Sequence, residues 1–491
     1  MATSSGAPYA VVDIGSNSVR LVIYDRLTRS PASLFNEKSL CAIGRNMVTT
    51  GLLDDEGSDA AVAALGRYRE ILGAMGIARV DAVATAAVRD AKNGNLFVTR
   101  ARDALGVPIK ILTGEEEARL ASEGVLSAIP DADGVMGDLG GGSLELAMLS
   151  GAKASVGVTL PFGPLRLMDL CEGKIDRARA IVDKGLEAID GLEKLKGKTL
   201  YAVGGVWRNI ARIHMDDTAH EIRVLHHYEM SRERALGFVN FLSGLGRKSI
   251  EAIVSVSRRR AEAIPYGAVV MERLIKAAKL ERVVISAYGL REGMVFAKLP
   301  AEERAKDPLI AACEDMAARL GRDGALGPVL ERWTAPLFSR DDKAFDRLRR
   351  AACYLADTGW RGHPDHRAEQ MFGEVLSAPL IGVDHPGRAL LALAMFHRYG
   401  GEGDKAIKRI KRFAGDSVAE RAELLGLALR AALVMAGPAA DLLGETSVKL
   451  TPNTLIVTIP RAHQALVAEP ITKRLDALAR ALNRTMRIEP K

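Results

Sequence analysis

Asp138-Leu139-Gly140-Gly141-Gly142-Ser143 holds the residue types from which a phosphate site can be built. Three successive glycines let a backbone approach a ligand closely and adopt conformations closed to other residues. Their amides can converge on an anion without any lysine. The Ser143 hydroxyl adds a donor, and the Asp138 carboxylate can hold a hydrated Mg²⁺ against phosphate oxygens. Apolar runs on both sides, Val135-Met136 and Leu144 to Leu149, read as strand, tight turn, strand. Alone, such a turn is equally a plain glycine-rich hairpin.

The pattern occurs twice. Asp13-Ile14-Gly15-Ser16-Asn17-Ser18-Val19-Arg20-Leu21 aligns with Asp138 to Leu146 so that the Asp, first Gly, Ser and following Leu coincide. Each copy follows an apolar strand and opens into another. A repeated strand–turn–strand unit predicts a duplicated domain, with two phosphate-facing turns meeting across a cleft.

The elements that must position these turns follow from hydrophobic periodicity. After β-like segments at 9–13, 18–25 and 33–44, residues 58–75 place Val62, Leu65, Tyr68, Leu72 and Met75 at helical spacing. A strand over 79–85 leads to Arg89, and a helix starts at Asn93. A strand over 108–112 leads into Gly114-Glu115-Glu116-Glu117-Ala118-Arg119, which opens a helix reaching about Ile129. Strands followed by alternating helix and strand form an α/β pattern. The pattern restarts at Gly134, with strands over 135–137, 144–149, 154–160, 199–203 and 282–286. Helices are expected from Gly163, over 176–195, from Val206, over 231–244, 249–255 and 260–278. From about Ala301 the chain turns to alanine, leucine and arginine at helical spacing. It ends in strand-like 454–459, a helix over 465–482 and a short strand over 486–488.

With 491 residues and 48% hydrophobic content, the chain has room for several cores. A net charge of +7 favours polyanionic partners, and 5% aromatic content argues against a stacking platform for nucleic acid. Cys41, Cys171, Cys313 and Cys353 are too scattered for a metal or disulfide framework, as expected of thiols in a reducing cytoplasm. No stretch reads as a membrane span, and Met1 to Pro8 lacks the form of a signal peptide. No Walker A pattern or protein-kinase set occurs.

The two turns, with Gly114 to Arg119, Gly204-Gly205 and Leu290-Arg291-Glu292-Gly293, resemble the exopolyphosphatase / guanosine pentaphosphate phosphatase family over about residues 8–300. That family belongs to the actin–sugar kinase–Hsp70 superfamily. The resemblance implies two duplicated ribonuclease-H-like α/β domains, 1–131 and 132–300, with a cleft between them. It also implies a mostly helical, degenerate HD-like region, 301–491, that ends in a small α/β segment. The implied activity is Mg²⁺-dependent, processive removal of the terminal phosphate of inorganic polyphosphate. Guanosine pentaphosphate, with the tetraphosphate as a related ligand, is the alternative substrate. An acceptor-dependent kinase and a sensor without turnover are the other rivals. A cytoplasmic homodimer that engages neither nucleic acid nor membrane completes the expectation.

The resemblance also assigns roles. Glu117, the acid directly before Ala118, orients or deprotonates the attacking water, while Glu115 and Glu116 complement the helix dipole. Asp138 and Glu145 hold Mg²⁺, with Asp13 beside them; Glu145 follows Ser143 by two and shares its side of the strand. Arg89 clamps the transferring phosphoryl group. Asn17, Ser18, Gly140, Gly141, Gly142 and Ser143 bind phosphates, and Gly204 and Gly205 support the polyphosphate path. In the helical region, Ala356 stands where an HD histidine is expected before Asp357. His363, His366, His385 and His397 are the remaining candidates for that centre. Basic runs at Lys405 to Arg412, Arg258-Arg259-Arg260 and Lys194-Lys196-Lys198 are candidate tracks for a phosphate polymer.

Overall fold

The computed structural model describes residues 6–253, 261–403 and 405–491. The chain divides into two compact units. One comprises the residues through His220 plus Val224–Ala305. The other comprises Glu221–Arg223 and Lys306–Lys491.

The first unit holds two sheets. In the first, β1 (Tyr9–Ile14) and β2 (Ser18–Tyr24) form an antiparallel hairpin around Gly15-Ser16-Asn17. β3 (Ser33–Leu40) adds antiparallel to β2, while β4 (Val80–Ala84) and β5 (Ile109–Ile111) add in parallel beyond β1, giving the order β3-β2-β1-β4-β5. Both faces are covered at the centre of the sheet, so β1, β2 and β4 are largely buried, while the edge strand β3 is exposed or half-buried throughout. Val12, Ile14, Leu21 and Ile23 pack with Leu65, Tyr68 and Leu72 of helix Asp55–Ala74 and with Phe97 and Leu105 of helix Gly94–Leu105. The alternate residues Val11, Val22 and Val83 pack with Leu120, Leu290 and Met294 on the opposite face.

The second sheet repeats this order. β6 (Gly134–Leu139) and β7 (Leu144–Ser150) form the central hairpin around the triple glycine. β8 (Lys153–Ala154) and β9 (Val158–Leu160) both pair antiparallel with β7. β10 (Thr199–Val203), β11 (Tyr228–Ser231) and β12 (Arg282–Ile285) extend the other side, with β10 parallel to both β6 and β12. The core under this sheet includes Trp207, Ile210, Val269, Val270 and Leu274, all fully buried. At ~1.5–3 kcal/mol for each such side chain, this burial is the main force holding helices Gly205–Asp217 and Ile264–Ala277 to the sheet.

Several elements depart from expectation. The strand expected over 154–160 is broken into β8 and β9. The helix expected over 176–195 ends at Glu187, and Gly191, in the left-handed region, starts a separate 3₁₀ turn at Leu192–Leu195. Strand β11 was not expected; it closes the sheet edge antiparallel to β12. Arg89 lies within a short helix, Ala86–Asp90, that follows β4.

The second unit is mostly helical, including Pro308–Leu320, Lys343–Leu355, His385–Arg398 and Asp416–Ala436. It ends in a small sheet of β13 (Ser447–Leu450), β14 (Thr454–Ile459) and β15 (Thr485–Pro490), with helix Glu469–Ala481 crossing between β14 and its parallel neighbour β15. No helix of the described residues is long and apolar enough to cross a membrane.

Candidate active site

The two hairpin turns share one backbone geometry. Gly15 N donates to Ser18 O, and Gly140 N donates to Ser143 O, each at 3.0 Å. The turns touch at their tips. A Cβ added at Gly141 would stand 3.2 Å from the Ser16 Cβ, and one at Gly142 would stand 3.2 Å from the Ser16 Oγ. Gly163 backs onto the same turn, where a Cβ would come within 2.2 Å of the Gly142 carbonyl carbon. These contacts leave little room for side chains at Gly141, Gly142 and Gly163, while a Cβ at Gly140 would meet only Ser143, with its carbonyl oxygen at 3.5 Å.

Beside the turns lies a cavity of about 200 Å³. Asp13, Asn17, Ser18, Glu117, Asp138, Gly140, Gly141, Ser143, Glu145, Gly204 and Gly205 all border it. Of the expected site residues, only Arg89 and Gly142 are not in its lining. Gly142 completes the turn, and Arg89 is bonded to Glu117.

Local structure separates the three consecutive glutamates. Thr113 caps helix Gly114–Ala128: its hydroxyl accepts from Glu116 N at 3.1 Å, while the Glu116 carboxylate accepts from Thr113 N at 3.0 Å. Glu116 also takes Lys110 Nζ at 2.5 Å, so it is committed to the capping box. Glu115 is exposed. Glu117, one residue further round the helix, is only 8% exposed and turns into the cavity. Arg89 Nη1 donates to its Oε2 at 3.1 Å and to the Leu112 carbonyl at 3.1 Å, while Arg89 Nε donates to Asp90 at 3.2 Å. The arginine thus makes both the surface pair and the buried one.

Helix Gly114–Ala128 is seated by glycine. A Cβ at Gly293 would lie 1.7 Å from Leu120 O, and one at Gly124 would lie 2.0 Å from Gly289 O. Helix Leu290–Ala297 therefore meets it backbone to backbone. Glu292 accepts from Gly289 N at 3.0 Å, and Arg291 donates to the Asp13 carboxylate at 2.7 Å. The Leu290-Arg291-Glu292-Gly293 run thus acts as a cap, an ion pair and a close contact.

Burial drives the carboxyls upward. The Glu117 carboxyl rises to about 7, chiefly through desolvation; Arg89 opposes the rise, and the Asp138 and Asp13 carboxylates add to it. Burial lifts Asp138 to about 6, against the pull of Arg208 and Arg291. Glu145 goes well above its ordinary value through burial and the neighbouring Glu117 and Asp138 charges. Its Oε1 is buried with no hydrogen-bond partner. Across the hairpins, Asp13 lies opposite Arg20 and Asp138 opposite Glu145, so the position facing the shared aspartate carries opposite charges in the two copies.

Sequence reasoning missed Arg208, Arg291 and Arg20 in the cavity wall. The signal for Arg208 was its place one turn into the helix that opens at Gly204-Gly205; Arg291 and Arg20 lay within quoted motifs, but no role was assigned to either. Gly204 itself sits at φ 113°, and a Cβ there would lie 2.4 Å from Leu139 O.

In the helical unit, Asp357 is taken by Arg322, with Nη2 at 2.5 Å and Nε at 3.1 Å. Burial lowers His397 to about 4. Among the described residues, no group of three His, Cys, Asp or Glu side chains is placed to hold a metal. Of the basic runs, helix Lys405–Ala414 buries Ile407 and Ile410 and exposes Lys405, Lys408, Arg409 and Arg412. Lys198 pairs with Asp133. Arg258-Arg259-Arg260 lies outside the described residues.

The model of the Ppx/GppA phosphatase family matches residues 22–302, and that of the exopolyphosphatase C-terminal domain matches residues 309–488. Exopolyphosphatase 1 of Mycobacterium leprae is 29% identical over 306 residues, covering 60% of this chain and 89% of the relative. Exopolyphosphatase 1 of Mycobacterium tuberculosis is 29% identical over 316 residues, covering 60% and 88%. Among solved structures, an exopolyphosphatase from Cytophaga hutchinsonii aligns with a TM-score of 0.54 at 24% identity, over 59% of this chain and 97% of its own. The Aquifex aeolicus Ppx/GppA family member aligns at 0.50 and 23%, over 59% and 97%. These two likenesses speak for the fold; the family models speak for descent. The chain is a hydrolase belonging to the Ppx/GppA phosphatase family.

Proposed function

We propose that this chain is an exopolyphosphatase that removes the terminal phosphate of inorganic polyphosphate by in-line attack of water. The observation that carries the reading is one cavity bordered by both hairpin turns and by the buried Glu117. The relatives named exopolyphosphatase point to the same substrate. Glu117, deprotonated, accepts a proton from the attacking water. Arg89 holds Glu117 in place and offers its remaining donor capacity to the transferring phosphoryl group. Asn17, Ser18, Ser143 and the amides of Gly141 and Gly142 grip phosphate oxygens, Gly140 closing the turn with its own N–H on the Ser143 carbonyl, and the Gly204-Gly205 turn supports the next stretch of chain. The leaving group is the shortened polymer, so a chain that stays bound can be cut again.

The donor set fits Mg²⁺. Glu145 is buried and Asp138, directly across from it on the paired strand, is half-buried; one Glu145 oxygen lacks a partner. Mg²⁺ commonly takes one or two carboxylates and completes its shell with water and substrate phosphates, so a preformed cage of three is not needed. When bound there, it would neutralise phosphate charge that develops as the bond breaks. Asp13 already pairs with Arg291 and would act from a second layer. The shared strand order of the two sheets supports the reading as two duplicated ribonuclease-H-like domains.

Glu117→Gln tests the assignment. Polyphosphate binding should persist while turnover falls by roughly 10²–10⁴-fold. Near-normal turnover overturns it. Comparing kcat/KM on long polyphosphate and on guanosine pentaphosphate decides the substrate; a clear preference for the nucleotide would replace the reading above.

A further inference from the structure

We infer that Arg208 grips the phosphate next to the one being cleaved, which makes the site selective for phosphoanhydride chains over single phosphate groups. The inference rests on the proposed exopolyphosphatase reading.

The cavity is electrically divided. Glu117, Glu145 and Arg89 act on one another at one end. Asp138 feels both Glu145's end and Arg208. Arg208 borders the cavity together with Arg291 and Arg20. The strand order sets the same direction: β6 carries Asp138 between β7, which carries Glu145, and β10, from which the helix bearing Arg208 departs, so Arg208 borders the cavity on the other side of Asp138 from Glu145, where a phosphoryl group next to the reacting one would fall.

The cationic end is built rather than incidental. Arg208 is one turn into helix Gly205–Asp217, and its Nε donates back to the Gly204 carbonyl at 3.2 Å, which fixes the plane of the guanidinium. Neither terminal nitrogen makes a hydrogen bond or ion pair with any described residue. Each nearby arginine is already engaged: Arg89 by Glu117, Arg291 by Asp13, and Arg20 by Asn36 at 2.8 Å. Arg20 also lies directly across from Lys38 on the next strand, and both border the cavity. Arg208 thus presents a fixed two-nitrogen fork, the geometry suited to two oxygens of one phosphate.

The test uses the full chain carrying Glu117→Gln, whose turnover is expected to be slowed while binding persists, with calorimetry in Mg²⁺. Binding of tripolyphosphate and of orthophosphate is measured with and without Arg208→Gln. The expected result is a Kd for tripolyphosphate weakened about 10- to 100-fold, the equivalent of one or two charge-assisted bonds, with orthophosphate changed less than about threefold. Arg208→Lys should recover part of the loss, because it restores charge without the fork. Equal weakening for both ligands would mean a structural role, and no weakening for either would remove Arg208 from the substrate path; each overturns the inference. If the Glu117→Gln chain fails to bind tripolyphosphate before Arg208 is touched, the exopolyphosphatase reading falls first and takes this assignment with it.

Discussion

The buried acid should show itself in stability before any substrate is added. In metal-free protein, the Glu117 carboxyl is pushed from its ordinary 4.5 to about 7. The fold therefore favours the protonated form. This contribution is fully present below the unfolded value near 4.5 and is lost as pH rises through the folded value near 7. Each pH unit in that window is worth ~1.4 kcal/mol, so ionising this one group costs the fold about 3 kcal/mol by pH 8. Glu117→Gln removes the titration while leaving Arg89 bonded to Asp90 and the Leu112 carbonyl. The variant should then gain about 2–3 kcal/mol on the wild type between pH 5 and pH 8. Relief of Asp138 and Glu145, which share the field, would add to the gain. Urea denaturation in a chelating buffer reads it, following Trp207, which is fully buried in the unit that holds Glu117. Trp333 and Trp360 are replaced by Phe in both proteins. Wild-type and variant curves that stay parallel from pH 5 to pH 8 would refute the argument.

Other outcomes follow from the same geometry. With Mg²⁺ saturating, turnover should fall on the acid side as Glu117 takes up a proton, and Arg89→Gln should move that limb upward by about one pH unit, since Arg89 holds the Glu117 value down; a pH–kcat profile checks both. Gly293→Ala should cost more than ~3 kcal/mol or prevent folding, because its Cβ would meet the Leu120 carbonyl at 1.7 Å. Gly66→Ala, in helix Asp55–Ala74 with nothing within 4 Å of its Cβ, should instead stabilise by ~0.5–1 kcal/mol. Thermal melts of the two alanine variants should move in opposite directions.

Much of the site could be read along the chain because it is written in local spacing. The matched Asp-x-Gly-x-x-Ser turns needed only alignment of the sequence with itself. The assignment of Glu116 to the helix end and Glu117 to the cavity was also accessible, since Thr113 and Glu116 have the separation of a capping box. What escaped was long-range. Arg291 meets Asp13 across 278 positions, and no periodicity in either segment records that. Arg208 looked like an ordinary polar residue on an amphipathic helix until the turn before it was seen to border the cavity. Strand β11 is four residues long and lies at a sheet edge, too short for alternation to stand out. The helix expected to run through 195 failed because the Asp190-Gly191 break falls between two stretches that share helical spacing.

The crossing of helices Gly114–Ala128 and Leu290–Ala297 has a mechanical consequence. Main chain rests on main chain there, at Gly293 against Leu120 and at Gly124 against Gly289. Side chains can repack under load, whereas two backbones in contact act as a hard stop. The segment bearing Glu117 therefore cannot advance by pressing closer to its neighbour. On the proposed function, any closing of the site along that direction would have to come from the substrate or from the turns, not from this helix.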